Sequence, residues 1–252
     1  MMFWALMVEY DGTGLVGWQR QDNGLSVQEV METAAARLND GQIPDIVTAG
    51  RTDAGVHAAG QVVRIDMPSH YTPRQIRDGL NYHMKPHKIS VLQAVPAPEG
   101  WNPRFSAIHR VYRYIILNRA ARPTIDRGQV WHVAKPLNEI AMQEAARCLI
   151  GQHDFSSFRA SSCQAKSPIR TIDKLNVTRN GDRITLDVEG RSFLHHMVRN
   201  FAGSLKLVGE GRWPTSQIAT ILAARNRAAA GPTAEPQGLT LMRVDYPLNL
   251  FT

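Results

Sequence analysis

Segments with the two-residue period of a β-strand alternate with segments of helical spacing along the chain of 252 residues. Residues 61–67 alternate apolar and other side chains, as a half-buried strand does, whereas residues 27–38 repeat apolar side chains at helical spacing. The strand-like segments 172–179 and 184–189 flank Asn180-Gly181-Asp182, which is typical of a hairpin turn. This pattern favours an α+β fold with antiparallel or mixed sheets over a doubly wound parallel sheet.

Proline and glycine cluster at positions 96–103, which makes this segment the strongest candidate for a domain boundary. At about 150 residues per domain, the chain is long enough for one or two domains. We therefore expect an N-terminal half over residues 1–103 and a C-terminal half over residues 104–252. In the second half, residues 192–208 predict one long helix.

The composition argues against several classes of protein. Hydrophobic residues make up 43% of the chain, which is enough for a buried core and argues against intrinsic disorder. No apolar run approaches the roughly 18 residues of a membrane span, and the first residues lack the features of a signal peptide. Cys148 and Cys163 cannot by themselves build a disulfide framework or a zinc site. We expect a cytoplasmic protein that does not contact a membrane.

The positive charge of the chain is carried mainly by arginine. There are 29 basic and 22 acidic residues, hence a net charge of +7, and 23 of the basic residues are arginine. Residues 101–135 interleave seven basic residues and a single acid, Asp126, with five aromatic residues. Arginine among aromatic rings suits RNA, because the guanidinium group binds phosphate and stacks on bases. A solvated basic face is the alternative that composition leaves open.

A glycine motif follows the first strand-like segment. Residues 12–17 match the pattern G-x-G-x-x-G of dinucleotide-binding proteins. That function requires a helix that opens inside the motif, but Asp22-Asn23-Gly24 interrupts the chain before the helix signal at Ser26. A glycine-rich loop between a strand and a helix is therefore the favoured interpretation.

Two pairs of histidines have spacings that merit a test for metal binding. His83 and His87 are spaced as in a zinc-binding helix, but Pro86 would break that helix. His195 and His196 are adjacent, and in a helix their side chains would point about 100° apart. Ordinary packed or exposed histidines are the favoured interpretation, so the sequence predicts no metal site.

The segment 49–61 is built of small residues, with glycine at positions 50, 55 and 60, and joins two strand-like segments. Arg51 and Asp53 within it are two residues apart, so in an extended chain they face the same way. A neighbouring cation lowers the pKa of a carboxyl group, typically by about 1–3 units, and keeps it ionised. Asp53 could thus act as a nucleophile or a base. A salt bridge that only holds the loop is the alternative.

The same segment resembles the signature of the bacterial TruA-type tRNA pseudouridine synthases over Gly50-Arg51-Thr52-Asp53-Ala54-Gly55-Val56-His57-Ala58. The resemblance continues, in order, nearly from end to end of the chain. The other matching blocks are Tyr10-Asp11-Gly12-Thr13, Gly17-Trp18-Gln19-Arg20-Gln21, Ser26-Val27-Gln28, Arg104-Phe105-Ser106-Ala107, Arg110-Val111-Tyr112-Arg113-Tyr114, His153-Asp154-Phe155-Ser156-Ser157-Phe158, Phe193-Leu194-His195-His196-Met197-Val198-Arg199-Asn200, Gly231-Pro232-Thr233-Ala234 and Gly238-Leu239. One departure stands at Lys85–Ile89, where Lys88 replaces the acid of the family's pattern.

The resemblance implies an isomerase that converts uridine to pseudouridine at positions 38, 39 and 40 of the tRNA anticodon stem-loop. In this reaction the glycosidic bond to N1 is cut, the uracil turns, and the bond is remade through C5. Since nothing is added or removed, the reaction needs no metal and no cofactor. The implied fold is a pair of similar α+β halves, with sheets flanked by helices, around a central RNA-binding cleft in a homodimer.

The resemblance also assigns roles to five residues. Asp53 is the catalytic aspartate, which either attacks the substrate or removes a ribose proton on a glycal route. Arg51 helps to hold the flipped base, and Tyr112 stacks on it. Arg199 pairs with the aspartate, and Leu239 packs near the uracil.

The assignments of Tyr112 and Arg199 each have a plainer alternative. Tyr112 could be an ordinary core residue of a strand, and Arg199 could be a partner of the helix dipole at the C-terminal end of an apolar helix. His57 is expected to be structural. For the whole protein, the alternatives are a tRNA-binding protein without catalysis and a metal-dependent nuclease, for which the sequence offers no ligand set.

Overall fold

A computed structural model describes residues 2–251. Within them the chain divides into two compact units. Unit 1 comprises the residues up to His109 together with those from Leu241 onward, and unit 2 comprises Arg110–Thr240. The chain therefore passes from unit 1 to unit 2 once and returns near its end. The halves 1–103 and 104–252 stay a prediction.

Unit 1 is an antiparallel sheet with two helices. Its strands are β1 (Met2–Tyr10), β2 (Ile46–Thr48), β3 (His57–Met67) and β4 (Ile89–Pro96), and its helices are α1 (Val27–Ala36) and α2 (Pro73–His83). Strand β3 pairs with both β1 and β2, and β1 also pairs with β4. Buried side chains of β1 and β3, such as Leu6 and Val63, place the core of the unit against this sheet.

Both helices of unit 1 begin at a residue whose side chain caps the first turn. The Ser26 hydroxyl accepts a hydrogen bond of 3.1 Å from the backbone N–H of Glu29. Thr72 and Gln75 form a reciprocal capping box with Pro73 in the first turn. These side chains satisfy backbone N–H groups that a helix leaves without internal partners.

Unit 2 contains a mixed sheet and three α-helices. Its elements are β5 (His109–Leu117), β6 (Trp131–His132), α3 (Glu139–Ala146), β7 (Gly151–Asp154), β8 (Ile169–Asn180), β9 (Arg183–Gly190), α4 (Met197–Gly209) and α5 (Gln217–Ala224), and the last strand, β10 (Leu239–Asp245), begins in it. Strand β6 is parallel to β5, whereas the pairs β5–β9, β9–β8 and β8–β7 are antiparallel. The predicted α+β class with antiparallel and mixed pairing is confirmed.

The predicted hairpin is also confirmed. Strands β8 and β9 are joined by Gly181 and Asp182, and Asn180 pairs with Arg183 at the turn. Gly181 has a φ of +57°, a backbone conformation that glycine adopts at little cost.

The predicted helix over residues 192–208 is wrong at its start, because α4 begins only at Met197. The residue before it, His196, has a left-handed φ of 63°. A left-handed residue cannot continue a right-handed helix, so residues 192–196 lie outside the helix, with a turn at His195 and His196. The shift places Arg199 in the first turn of the helix and not near its C-terminal end.

Within residues 2–251, no helix combines the length and the apolar character that crossing a membrane requires.

Candidate active site

In unit 1, residues 49–56 connect β2 to β3 and are called the Asp53 loop below. The side chain of Asp53 is half-buried, whereas Arg51 is exposed. The Asp53 carbonyl oxygen accepts a hydrogen bond of 3.1 Å from the N–H of Val56. Gly55 lies within this tight turn with a φ of +76°, which favours glycine. The turn therefore holds the backbone of Asp53 in a defined position.

The glycine motif of residues 12–17 packs directly against the Asp53 loop. The N–H of Trp18 donates a hydrogen bond of 3.0 Å to the carbonyl oxygen of Thr52. A Cβ atom at Gly17 would lie 2.7 Å from that same oxygen, and one at Gly12 would lie 2.2 Å from the oxygen of Val56. The glycines allow two backbones to touch, and the first helix after them begins only at Val27. The interpretation as a glycine-rich loop, not a dinucleotide site, agrees with this geometry.

We expect Gly12→Ala to lower turnover while much of the fold survives. The added Cβ would meet the Val56 oxygen at 2.2 Å, so the Asp53 loop must shift. Misplacement of a catalytic group by about 1 Å can cost about 10²-fold in rate. The matched control is Gly14→Ala, where a Cβ meets nothing within 4 Å. The only expected effect of Gly14→Ala is backbone strain, because the φ of +79° disfavours alanine. Such strain costs about 1–2 kcal/mol of stability.

The measurement for this pair is kcat on tRNA together with thermal unfolding of both variants. Equal kcat values for Gly12→Ala and Gly14→Ala would show that contact with the glycine motif does not position the Asp53 loop.

Buried hydrogen bonds hold the Asp53 loop from the sheet beneath it. The hydroxyl groups of Tyr10 and Thr52 share a hydrogen bond of 2.7 Å. The side-chain amide of Gln61 donates a hydrogen bond of 2.7 Å to the carbonyl oxygen of Gly50. Thr52 and Gln61 are both buried. Strands β1 and β3 thus anchor the loop just before Asp53. A different loop position would leave these buried polar groups without hydrogen bonds, which folded proteins rarely tolerate.

A charged cluster supports the other end of the loop. The buried His57 accepts a hydrogen bond of 3.0 Å at Nδ1 from the N–H of Gly12. The same Nδ1 lies 3.2 Å from Oδ1 of Asp11, and Lys88 Nζ lies 3.0 Å from Oδ2 of Asp11. Lys88, the departure from the family's pattern, is therefore an ion-pair partner of Asp11.

Asp11 has a pKa of about 2 in this cluster. Partial burial raises the pKa of Asp11, but the hydrogen bonds from Thr13 and Lys88 lower it by more. These interactions favour the ionised carboxylate over the neutral acid.

Ionised Asp11 should stabilise the folded protein at neutral pH. Its pKa is about 2 in the folded protein against an ordinary 3.8, so the contribution is complete above about pH 4 and is lost as the pH falls towards 2. Its side chain is 20% exposed, so we expect about 1–2 kcal/mol after allowance for solvent screening.

The test is urea unfolding of wild type, Asp11→Asn and Lys88→Met between pH 3 and pH 7. We expect the difference in unfolding free energy between wild type and Asp11→Asn to shrink as the pH falls. Lys88→Met should lower the unfolding free energy in the same direction but by less, because it removes only one of the hydrogen bonds that stabilise ionised Asp11. A difference that does not change with pH would contradict the assignment.

In unit 2, Tyr112 lies on β5 opposite Val188 of β9 and is half-buried. Its ring meets Phe193 edge to face, with centroids 5.0 Å apart and an interplanar angle of 81°. Such a contact is favourable and fixes the orientation of the ring. Tyr112 is therefore not a fully buried core residue, and its ring is held in place by a second aromatic side chain.

Arg199 occupies the first turn of α4. A positive charge there opposes the helix dipole, so the interpretation of Arg199 as a C-terminal dipole partner is wrong. Its Nε donates a hydrogen bond of 2.9 Å to the carbonyl oxygen of Ala234, and the N–H of Ala234 donates one of 3.2 Å to the Arg199 oxygen. Arg199 is thus fixed by a segment distant in sequence.

This segment, residues 227–239, is called the strap. A Cβ atom at Gly203 of α4 would lie 1.7 Å from the carbonyl oxygen of Pro232, so the strap lies directly on the helix. Thr233 donates a hydrogen bond of 2.7 Å to Asn200, and Arg227 donates one of 3.2 Å to the same oxygen. Asn200 in turn donates to the carbonyl oxygen of Phe158 at 2.7 Å.

A buried tyrosine holds the end of the strap. The Tyr114 hydroxyl donates a hydrogen bond of 2.6 Å to the carbonyl oxygen of Glu235, and a Cβ at Gly238 would lie 2.7 Å from the Tyr114 ring. Burial raises the pKa of Tyr114 well above 10.0, and the positive charge of Arg199 acts in the opposite direction. Leu239, which follows, is buried.

Unit 2 therefore brings Arg199, Tyr114 and the strap up to Leu239 together. Tyr112 lies two residues before Tyr114 and so on the same face of β5. Sequence reasoning missed the supporting residues Tyr114, Asn200, Arg227 and Thr233. Three of them stand inside the matching blocks, and their polar character in otherwise apolar or glycine-rich segments was the available signal.

Comparison with known proteins identifies the family. A family model described as tRNA pseudouridine synthase matches residues 6–106 and 145–247. The tRNA pseudouridine synthase A of Acidiphilium cryptum is 61% identical over 100% of this chain and 99% of its own length. The proteins of the same name from Gluconobacter oxydans and Rhodospirillum rubrum are 53% and 51% identical over 98% of this chain, and over 91% and 88% of their own lengths.

The fold and these matches show an α+β isomerase that modifies tRNA. The chain belongs to the tRNA pseudouridine synthase family, which confirms the resemblance seen in the sequence. The interpretation as a catalyst is accordingly favoured over a tRNA-binding protein without chemistry.

Proposed function

We propose that this protein converts uridine to pseudouridine at positions 38, 39 and 40 of the tRNA anticodon stem-loop. The bond from C1′ of the ribose to N1 of uracil breaks, and a bond from C1′ to C5 forms. The proton on C5 is lost and N1 gains a proton, so substrate and product have the same composition. The single observation that supports this function best is the clamped loop that carries Asp53 within the family's signature.

Asp53 is the catalytic carboxylate. Its backbone is held by the turn to Val56, while Thr52 and Gly50 are tied to the sheet. A carboxylate in a fixed position can form a covalent intermediate or remove a proton, because little reorganisation is needed in the transition state. Direct attack and the glycal route both use the same atom of the protein, so the geometry of the loop serves either one.

Four further residues complete the proposed active site: Tyr112, Arg51, Arg199 and Leu239. A base must leave its stack before chemistry can occur, at a cost of a few kcal/mol. A fixed Tyr112 ring offsets this cost by stacking, and the exposed Arg51 helps to hold the flipped base. The roles of Arg199 as the basic partner of Asp53 and of Leu239 as a contact of the uracil rest on the family resemblance.

The reaction is tested with tRNA labelled with tritium at C5 of uridine. Wild type should release tritium into water while the tRNA stays intact, and unlabelled tRNA should keep its mass. Full activity in the presence of EDTA is expected, since the balanced reaction needs neither a metal nor a cofactor. Binding without tritium release would favour a tRNA-binding protein, and chelator-sensitive fragmentation of the RNA would favour a nuclease.

The protein acts in the cytoplasm as a homodimer, without membrane contact. The homodimer rests on the family resemblance, and sedimentation velocity is the measurement that checks it. A species with twice the mass of one chain at micromolar concentration is expected, whereas a monomer under these conditions would contradict the proposal.

A further inference from the structure

Phe105 is a large apolar side chain that the fold of unit 1 leaves 76% exposed. It belongs to the segment from Trp101 to His109. Trp101, four residues earlier, is only 8% exposed and packs on Tyr246 with ring centroids 5.3 Å apart. The segment therefore buries one aromatic ring for stability and presents the other to solvent.

The turn that presents Phe105 is rigid. Asn102 Oδ1 accepts hydrogen bonds from the backbone N–H groups of Arg104, at 2.9 Å, and Phe105, at 3.2 Å. In return, Ser106 Oγ accepts a hydrogen bond of 3.2 Å from the N–H of Asn102. Side chains that satisfy the backbone inside a turn fix its conformation. The exposed ring is therefore pre-positioned.

The base of the turn is anchored on both sides. The Tyr246 hydroxyl donates a hydrogen bond of 2.8 Å to the carbonyl oxygen of Pro103. After the turn, the N–H of Ile108 donates one of 2.9 Å to the carbonyl oxygen of Asp245. Both contacts are made to the C-terminal residues of unit 1. Binding of a ligand to Phe105 would therefore cost the protein little conformational entropy, because the turn already holds the ring in place.

A cation accompanies the ring. The guanidinium carbon of Arg104 lies over the Phe105 ring, 5.6 Å from its centroid. An aromatic face with an adjacent arginine suits a nucleotide, because the base can stack while its phosphate meets the positive charge. The net charge of +7 also favours a polyanion over an apolar protein surface as the occupant.

We propose that Phe105 and Arg104 form a stacking site for an unpaired nucleobase of the substrate RNA, additional to the ring at Tyr112. The proposal rests on the proposed function for the identity of the RNA. It assigns to this turn a role in binding and not in the chemical step. The occupant is a single-stranded base of the anticodon loop, since only an unpaired base offers a free face to an exposed ring.

The experiment uses the full chain carrying Asp53→Asn, so that binding is measured without turnover. Anticodon-arm RNAs carry 2-aminopurine at each loop position in turn, and its fluorescence reports stacking. We expect quenching at one or more positions with the parent protein. Phe105→Leu should abolish the quenching at the position that stacks on this ring and weaken binding roughly 5- to 150-fold, which corresponds to the usual contribution of one stacked base. Phe105→Tyr, which keeps an aromatic face, should retain both signals.

Tyr82 offers a matched control, since it is 70% exposed and lies in the same unit. Its ring faces His83 edge-on, with centroids 5.1 Å apart. Tyr82→Leu should leave quenching and affinity unchanged. Arg104→Gln keeps the ring, so it should keep the quenching while the affinity falls and depends less steeply on salt.

Equal quenching by the parent and Phe105→Leu at every loop position would overturn the proposal. Dissociation of a dimer by Phe105→Leu with unchanged quenching would overturn it as well, and would assign the ring to a contact between copies. These readouts measure binding only. Failure of wild type to release tritium would therefore count against the proposed reaction and leave the stacking result interpretable.

Discussion

Asp53→Asn is expected to bind tRNA as wild type does and to lose turnover on the order of 10⁴-fold or more. The amide has nearly the shape of the carboxylate, and the bond from Val56 N–H to the Asp53 carbonyl oxygen involves only the backbone. The loop should therefore keep its position while the reacting group is lost. Affinity is spread over many phosphate contacts and does not depend on one carboxylate.

The measurements are tritium release under single-turnover conditions and the Kd for tRNA. Asp45→Asn is the matched control, because Asp45 lies just before β2 and its side chain is 74% exposed. This control should keep full turnover. A loss of less than about 10²-fold in Asp53→Asn would contradict a nucleophilic or basic role, since general acid–base catalysis alone contributes at least that much.

Tyr112→Leu is expected to cause the second large loss of turnover. The variant removes the aromatic face and the edge-to-face contact with Phe193 at 5.0 Å. Stacking is worth about 1–3 kcal/mol per base, so the flipped base loses its platform. Tyr112→Phe keeps the ring and removes only the hydroxyl. We propose that the Tyr112 hydroxyl also takes part in transfer of the C5 proton. Tyr112→Phe should then be almost as impaired as Tyr112→Leu, because general acid–base catalysis contributes about 10²–10⁴-fold.

Tyr114→Phe is the matched control for the hydroxyl. Tyr114 is on the same face of β5, but its hydroxyl donates to the Glu235 carbonyl oxygen at 2.6 Å. Its loss should reduce the unfolding free energy by about 1 kcal/mol, with a smaller effect on turnover than Tyr112→Phe. Chemical denaturation and kcat measured side by side separate the two effects.

Two other outcomes would change the role assigned to Tyr112. A mild Tyr112→Phe beside an impaired Tyr112→Leu would leave the ring as a platform only. Wild-type turnover in Tyr112→Leu would remove the residue from the active site.

The sequence alone was sufficient to predict features that depend on neighbouring residues, such as helix starts and turns. The helix start at Ser26 and the hairpin at Gly181 depend on short-range backbone hydrogen bonding, so they were predicted correctly. The motif around Asp53 also identified the family, because its residues occur together in one short segment. The absence of a helix signal within residues 12–17 argued against dinucleotide binding. The sequence could not show, however, which contact requires glycine at these positions.

Contacts between distant segments were decided by the tertiary structure alone. Glycine is required at positions 12 and 17 because the backbone around Asp53, some forty residues further along the chain, lies directly against them. The left-handed His196 starts α4 later than its apolar pattern indicates, and this moves Arg199 to the first turn. Arg199 is then held by Ala234 of the strap. The sequence by itself therefore determined the fold class, the family and the candidate carboxylate, since these follow from local patterns. Only the tertiary structure decided what supports each candidate residue, because hydrogen bonds and close packing depend on which distant backbones meet.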